Sequence, residues 1–345
     1  MSEKESLWKR QIKGKQSISF DYAPYIISSA SVVGKKESEG PLGKCFDRTS
    51  EDNLFGQNTW ELAEGQMQQM ACRIALDKAG EVPEDVRFLY GGDLLRQGIA
   101  TSMGLENLQI PLFGLFGACS TSGEALALAA MSVSAGYGER MLAVTSSHFA
   151  SAEKEFRFPL GYASQRPLSA SWTVTGSGAF LVGNQKSHVR IAGVTIGKIV
   201  DYGITDSQNM GACMAPAACD TIACNLDDFA YEEQEYDQII TGDLGYVGQT
   251  ILFDLLRKKG KDIKANHMDC GMVIFDQKTQ NTNAGGSGCG CAAVVLSSLI
   301  LPRLESGEWK KVLFVPTGAL MSTVSHNEGE SVPGIAHGII LEHEM

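Results

Sequence analysis

The stretch Pro111-Leu-Phe-Gly-Leu-Phe-Gly-Ala-Cys-Ser-Thr-Ser-Gly123 carries an apolar strand straight into a cysteine at the start of a helix. That placement has physical consequences. Unpaired backbone N–H groups and the positive end of the helix dipole favour a thiolate at Cys119. The same donors can hold a carboxylate or an oxyanion. The competing expectation is a small buried cysteine packed at a strand-helix junction, with no chemistry attached.

Outward from this turn, the chain reads as a plan written twice. Val86-Arg-Phe-Leu-Tyr-Gly-Gly-Asp93 and Tyr236-Asp-Gln-Ile-Ile-Thr-Gly-Asp243 are both buried-strand patterns that end in Gly-Asp and lead into Leu. Gly117–Gly123 opens an Ala-rich helix to about Gly138, followed by the strand Arg140–Ser146. Gly285-Gly-Ser-Gly-Cys-Gly-Cys291 opens a helix to about Ser306, followed by the strand Lys310–Thr317. Each half closes on a glycine-punctuated apolar strand, Thr175–Val182 and Pro333–Leu341. Three features recurring in order predict a duplication, with halves 1–187 and 188–345. The fold expected is α/β, two packed halves with largely parallel, buried sheets. Ligands in such sheets sit beyond the carboxyl ends of the strands, so Asp93, Cys119, Ser146, Asp243, Gly286 and Thr317 should face a shared region. Before the first repeat, residues 1–16 read as a loose tail and 25–33 as a strand. Residues 34–57 read as a long surface loop, and Asn58 or Thr59 caps a helix to about Ala79.

Composition narrows the function. The 345 residues carry a formal net charge of −11 and no long Lys/Arg block. Nucleic-acid binding is therefore not expected, nor is strong attraction to an anionic lipid surface. Nine cysteines without framework spacing, and a charged N-terminus without an apolar signal core, point to a reducing compartment. The apolar stretch Cys291–Pro302 falls short of the ~20 residues that span a bilayer, so any membrane association would be peripheral. Cys213, Cys219 and Cys224, and the tight Cys289-Gly-Cys291, fit no standard zinc spacing, and no metal is expected. No convincing dinucleotide fingerprint, P-loop or nucleophile elbow is present, so no cofactor is expected. The acidic run Asp227–Asp237 lacks EF-hand spacing and reads as a solvated face.

Gly117-Ala-Cys119-Ser-Thr-Ser with its small-residue helix, Thr175-Gly-Ser-Gly-Ala, and Gln165-Arg166-Pro resemble the thiolase and 3-oxoacyl-synthase superfamily. The resemblance implies a thiolase fold, two pseudo-symmetric βαβαβαββ halves in an α-β-α-β-α layering, and a homodimer through the first-half sheet. The loop at 34–57, Phe116-Gly-Ala-Cys-Ser-Thr-Ser-Gly-Glu-Ala-Leu126 and Asn283-Ala-Gly-Gly-Ser-Gly-Cys-Gly-Cys291 resemble more closely the stage V sporulation protein AD family of endospore formers. That resemblance implies binding of dipicolinic acid, free or as its calcium chelate. The binding would serve uptake into the developing spore and release in germination. The implied partners are membrane-embedded proteins of the same operon, with the chain peripheral to the cytoplasmic face of the spore inner membrane.

The enzyme pattern breaks in the second half. A thiolase-type cysteine needs a His, with a second His or Asn, to activate the donor. The matching places, Ile240–Asp243 and Ala284–Gly288, hold neither. The expectation is a site without catalytic residues, whose ligand-binding candidates are Cys119, His148, Arg166, Asp243 and His326. Arg166 is the favoured cation for a carboxylate, with Arg157 and Lys154 weaker; Phe116, Phe149, Phe158 or Tyr162 could wall a ring. His148 either reaches the pocket rim or lies on a surface loop. His326 sits on a mobile flap or an exposed loop, and His337 is packed in a strand. The rival expectation is an active acyl-CoA-dependent acyltransferase or condensing enzyme using Cys119; a third is a purely structural subunit.

Overall fold

The computed structural model describes residues 11–156 and 166–345. Gln165, Arg157, Phe158 and Tyr162, and the first ten residues of the expected tail, lie outside them. Ten strands form the spine of the main sheet: β1 (Tyr25–Val33), β2 (Phe88–Gly92), β3 (Leu112–Leu115), β4 (Arg140–Ser147), β5 (Gly176–Gly183), β6 (Val189–Thr195), β7 (Gln238–Thr241), β8 (His267–Asp269), β9 (Lys311–Val315) and β10 (Gly338–His343). Their order across the sheet is β8-β7-β9-β10-β6-β1-β5-β4-β2-β3. Read from either edge inward, the halves repeat one another. β2 pairs parallel with β3 and β4 as β7 does with β8 and β9, and the β4–β5 and β9–β10 pairs are both antiparallel. β1 meets β6 antiparallel at the centre, through Tyr25 and Arg190. The duplication seen in the sequence is therefore a duplication of topology.

The helices repeat too. α1 (Trp60–Ala79) is capped by Thr59, whose Oγ1 accepts the Leu62 N–H at 3.2 Å, and stops at Gly80 with φ 68°. Its counterpart α5 (Met210–Phe229) is capped by Asn209 and stops at Ala230 in the same left-handed conformation. Between them come α2 (Ile99–Leu105), α3 (Thr121–Ser134) and α4 (Phe149–Phe156); after them, α6 (Gly245–Lys258) and α7 (Cys289–Val295). α7 continues through a π turn at Leu296–Ile300 into Leu301–Glu305, matching the length expected from the sequence. One hydrophobic core crosses the two halves, joining Leu126 and Ala129 of α3 to Val294 of α7, Phe314 of β9 and Leu341 of β10. That shared core locks the strand ends of both halves together.

Three expectations are corrected. The sheet is mixed rather than largely parallel, because five of the nine pairings along its spine, the central ones, are antiparallel. Residues 11–16 are not a loose tail, because Ile12–Lys13 and Ser17–Ser19 form a small antiparallel pair that extends onto β6. Residues 34–57 are not simply a surface loop. They form a helical turn at Lys35–Ser38 that buries Glu37, and Leu42 and Phe46 anchor the segment in the core. Buried apolar side chains spaced several residues apart in a charged stretch give no periodic signal.

Candidate functional site

The turn after β3 brings Cys119 to the seam between the halves. Ala118 takes φ 50°, a strained conformation for a side-chain-bearing residue, and the turn is tied by hydrogen bonds. The Ser120 N–H donates to the Gly117 carbonyl at 3.1 Å, and the Thr121 hydroxyl donates to that of Ala118 at 2.6 Å. Gly318 of the second half presses against this turn, and a Cβ there would lie 2.3 Å from the Gly117 oxygen. Cys119 Sγ stands 3.7 Å from Ser287 Oγ. The Ser287 hydroxyl donates to Asp243 Oδ2 at 2.8 Å, and the Gly288 N–H donates to the same oxygen at 2.9 Å. Thr317 Oγ1 donates to Asp243 Oδ1 at 2.7 Å. Gly288 holds φ 108°, which places its N–H there at no steric cost. A thiol, a hydroxyl and a carboxyl thus form one buried chain, and among the described residues no imidazole is hydrogen-bonded to the sulfur.

The electrostatics reverse one sequence expectation. The helix start was expected to favour a thiolate, yet burial pushes the Cys119 thiol well above its ordinary range and the Asp243 carboxyl beside it pushes further. A helix end contributes partial charges at its rim; removal from water and a neighbouring carboxylate act on the sulfur directly and win. Asp243 is itself raised by burial, opposed by the Gly288, Thr317 and Ser287 donors.

The void beside Ser287 is small, about 50 Å³, walled by Ala152, Glu153, Phe156, Ser207 and Met210 among others. Cys119 packs with Leu94, Ala152 and Cys289 behind that wall. Arg166 is also set back: its guanidinium is paired with Glu153, donates to the Ser171 carbonyl at 2.8 Å, and lies over the Trp172 and Phe149 rings. His326 sits on a short helix, Thr323–Asn327, with Nε2 3.3 Å from Ser207 Oγ. Cys119, Asp243, Arg166 and His326 therefore surround one void, each behind a residue that lines it. The remaining strand ends gather separately. Asp93 accepts the Thr101 hydroxyl, Glu64 accepts Ser146, and Gln68 Nε2 donates to Ser146 and to the Gly92 carbonyl. The Cys289 thiol, donating to the Ser146 carbonyl at 2.8 Å, links this cluster to the first.

His148 belongs elsewhere. It is neither on a surface loop nor at the Cys119 void: it is buried, and it lines a second cavity of about 220 Å³. Its Nε2–H donates to the Asn53 carbonyl at 2.8 Å, its Nδ1 accepts the Ala150 N–H at 3.1 Å, and burial lowers its pKa, so it is a neutral wall. Lys36, Glu37, Trp60, Phe149 and Trp172 complete that cavity. The two cavities are separated by a two-stranded ribbon in which Trp172–Thr173 runs parallel to Gly286–Ser287. Side chains alternate along a strand. Thr173 and Ser287 line the Cys119 side, and Trp172 lines the other. Sequence reasoning missed Lys36, Glu37, Trp60 and Trp172, because their proximity depends on segments far apart in the chain. His337, expected to be packed, is buried and accepts the Gly197 N–H through Nδ1 at 3.2 Å.

With this geometry in place, comparison with known proteins is informative. Residues 14–342 match the family described as Stage V sporulation protein AD (SpoVAD). Stage V sporulation protein AD of Bacillus subtilis (strain 168) is 42% identical over 332 residues, covering 96% of this chain and 98% of that one. Among solved structures, 3-oxoacyl-[acyl-carrier-protein] synthase III from Aquifex aeolicus VF5 superposes with a TM-score of 0.56 at 13% identity, covering 93% of this chain and 100% of that one. Cerulenin-bound OleA of Xanthomonas gives 0.57 at 16% identity, covering 93% and 97%. At such identities these two carry the fold alone, and the fold is that of the thiolase-like condensing enzymes.

Proposed function

We propose that this chain, which belongs to the stage V sporulation protein AD family, is a non-catalytic binding protein for dipicolinic acid on a thiolase-type frame. The observation carrying the non-catalytic reading is the pair that meets Cys119, Asp243 and Ser287. They come from the two segments where a thiolase-type enzyme would supply its histidine and its second His or Asn. A serine hydroxyl is no base at neutral pH. The Asp243 carboxyl is engaged by three donors and opposes the thiolate that acyl transfer requires. A positioned acid/base contributes roughly 10²–10⁴-fold, and here that contribution is missing while the turn itself is kept. A fold retained without its reaction is physically ordinary.

The dipicolinate reading is supported by family membership, and by cations set near aromatic rings at the seam: Arg166 over Phe149 and Trp172, Lys36 over Trp172. Among the described residues, no helix is long and apolar enough to cross a membrane, so service to membrane-embedded partners would be peripheral. A homodimer through the first-half edge strand is supported by the exposure of Leu112, Phe113 and Phe116 there. An unpaired apolar edge is a ready surface for pairing with a second strand.

Equilibrium dialysis of the purified chain against dipicolinate, with and without calcium, tests the binding role. Saturable binding at micromolar to millimolar ligand is expected, and its absence contradicts the proposal. Incubation with acyl-CoA followed by intact mass tests the rival condensing or acyl-transferring role. A Cys119 adduct that forms quickly and turns over would reverse the conclusion.

A further inference from the structure

The cavity that holds His148 has, among the described residues, three features of a binding site. The first is room. An apolar cavity of about 150 Å³ holds benzene, and one water takes about 30 Å³. The 220 Å³ space accommodates a substituted six-membered ring, whereas the 50 Å³ void has space for little beyond water. The second is its walls. Phe149 and Trp172 stack with centroids 4.0 Å apart, and Trp60 and His148 face each other at 5.4 Å, so the lining is aromatic from several directions. Such walls favour a flat ring.

The third feature is an unfinished pair of polar groups. Glu37 is buried, and its Oε1 accepts the Thr175 N–H at 3.0 Å, yet its Oε2 has no hydrogen-bond partner. Leaving a buried oxygen unsatisfied costs about 1–3 kcal/mol, so the site asks for a partner. Beside it, Lys36 Nζ stands 4.2 Å over the Trp172 ring and donates to the Gln280 carbonyl at 2.7 Å. An ammonium has three donors, and one is taken by that carbonyl.

We propose that this cavity is a ligand site distinct from the Cys119 void, and that it takes a small flat aromatic ring bearing a carboxylate. The ring lies against Trp60 and Trp172, the carboxylate meets the Lys36 ammonium, and a second polar atom of the ligand meets Glu37 Oε2. A phosphate or nucleotide fits less well, since one ammonium supplies too few donors and the space ends at a single ring. Burial raises the Glu37 pKa to about 7, against the pull of the Thr175 N–H and the charge of Lys36, with Glu39 adding to the rise. Near neutrality it can therefore present either a proton or a lone pair to the ligand. The inference deepens the function proposed above by giving the ring a place. It rests on that reading only for the identity of the natural ligand.

Calorimetric titration of the full chain with pyridine-2,6-dicarboxylate and, separately, with benzoate tests it. Lys36→Met is expected to weaken binding about tenfold or more, as loss of a charged hydrogen bond does. Trp60→Leu is expected to weaken it about fivefold through lost ring contact. Urea unfolding confirms that each variant is folded. Should either variant not fold, the isosteric Glu37→Gln keeps the test alive: wild-type affinity should change as pH passes through about 7, and this dependence should vanish in Glu37→Gln. Binding by Lys36→Met and Trp60→Leu indistinguishable from wild type overturns the site, as does binding lost in Cys119→Ala but kept in Lys36→Met. Benzoate bound in a Lys36-dependent way, with dipicolinate ignored, upholds the site and removes the dipicolinate function. If neither compound binds, both fall.

Discussion

The two cavities on either side of the Trp172–Thr173 ribbon differ in what they keep. On one side are the strained turn at Ala118, a cysteine at a helix start, and groups from both halves converging on the sulfur. On that side the thiol is held neutral, and the void beside Ser287 is about 50 Å³. On the other side there is space for a ring, with aromatic walls, an ammonium and a carboxyl oxygen without a partner. The difference teaches that the recognisable motif and the binding capacity of a fold need not reside in the same cavity.

The sharpest way to break this contrast is to fill the smaller space. Cys119→Trp should destabilise the fold by about 3 kcal/mol, because the 50 Å³ void cannot take an indole without displacing Ser287 and its Asp243 bond. Chemical denaturation reads this as a lowered midpoint. An unchanged midpoint would mean that the Cys119 side has room after all.

A second effect of similar size concerns the larger cavity. The folded pKa of Glu37 lies near 7, above the 4.5 of a free glutamate. The native chain therefore holds an extra proton across that window. The stability this group contributes is fully present below about pH 4.5 and is lost as pH rises through about 7. Glu37→Gln should remove the loss, so the variant gains on wild type between pH 5 and pH 8 by an amount on the order of 3 kcal/mol. Equal pH profiles for both proteins would place Glu37 in contact with water.

Thiol chemistry sharpens the other side. Cys119 should alkylate with iodoacetamide at neutral pH far more slowly than the exposed Cys45, as read by peptide mass spectrometry. Asp243→Asn removes the neighbouring negative charge and should raise the Cys119 rate above that of the wild type, with burial still holding it below Cys45. Fast alkylation in the wild type would return Cys119 to the list of working nucleophiles. The smallest expected effect is at the sheet edge. With the homodimer proposed through that edge, Phe113→Lys should shift sedimentation toward the monomer while leaving ligand binding intact, since Phe113 is half-exposed and lines neither cavity; a wild type that sediments as a monomer contradicts the proposed pairing.

Much of this was legible in the amino-acid order where signals are local. The strand ending in Gly-Asp, the glycine turn before each core helix and the Thr59 cap each depend on a few neighbouring residues, and each is present in the structure. That the segments Ile240–Asp243 and Ala284–Gly288 themselves contain no histidine is legible for the same reason. What could not be read depends on distant segments. The Cys119 thiol is governed by its burial at the seam and then by a carboxyl from the other half of the chain, and together these outweigh the helix-start rule. The aromatic cavity draws its walls from residues 36–37, 53–60, 148–150 and 172–175, and no periodicity or motif announces that these four meet. The sequence offers His148, at a pocket rim or on a surface loop, and Arg166, as the cation for a carboxylate, as ligand-binding candidates. One lines the other cavity, and the other lies over the Phe149 and Trp172 rings that wall it.

A crystal structure of the chain soaked with dipicolinate reaches the central contrast most directly. The account predicts density for a flat ring against Trp60 and Trp172 with a carboxylate on Lys36, and an unmodified thiol at Cys119 with no ligand over it. Density seated over Cys119, with the Lys36 cavity holding only solvent, would contradict it.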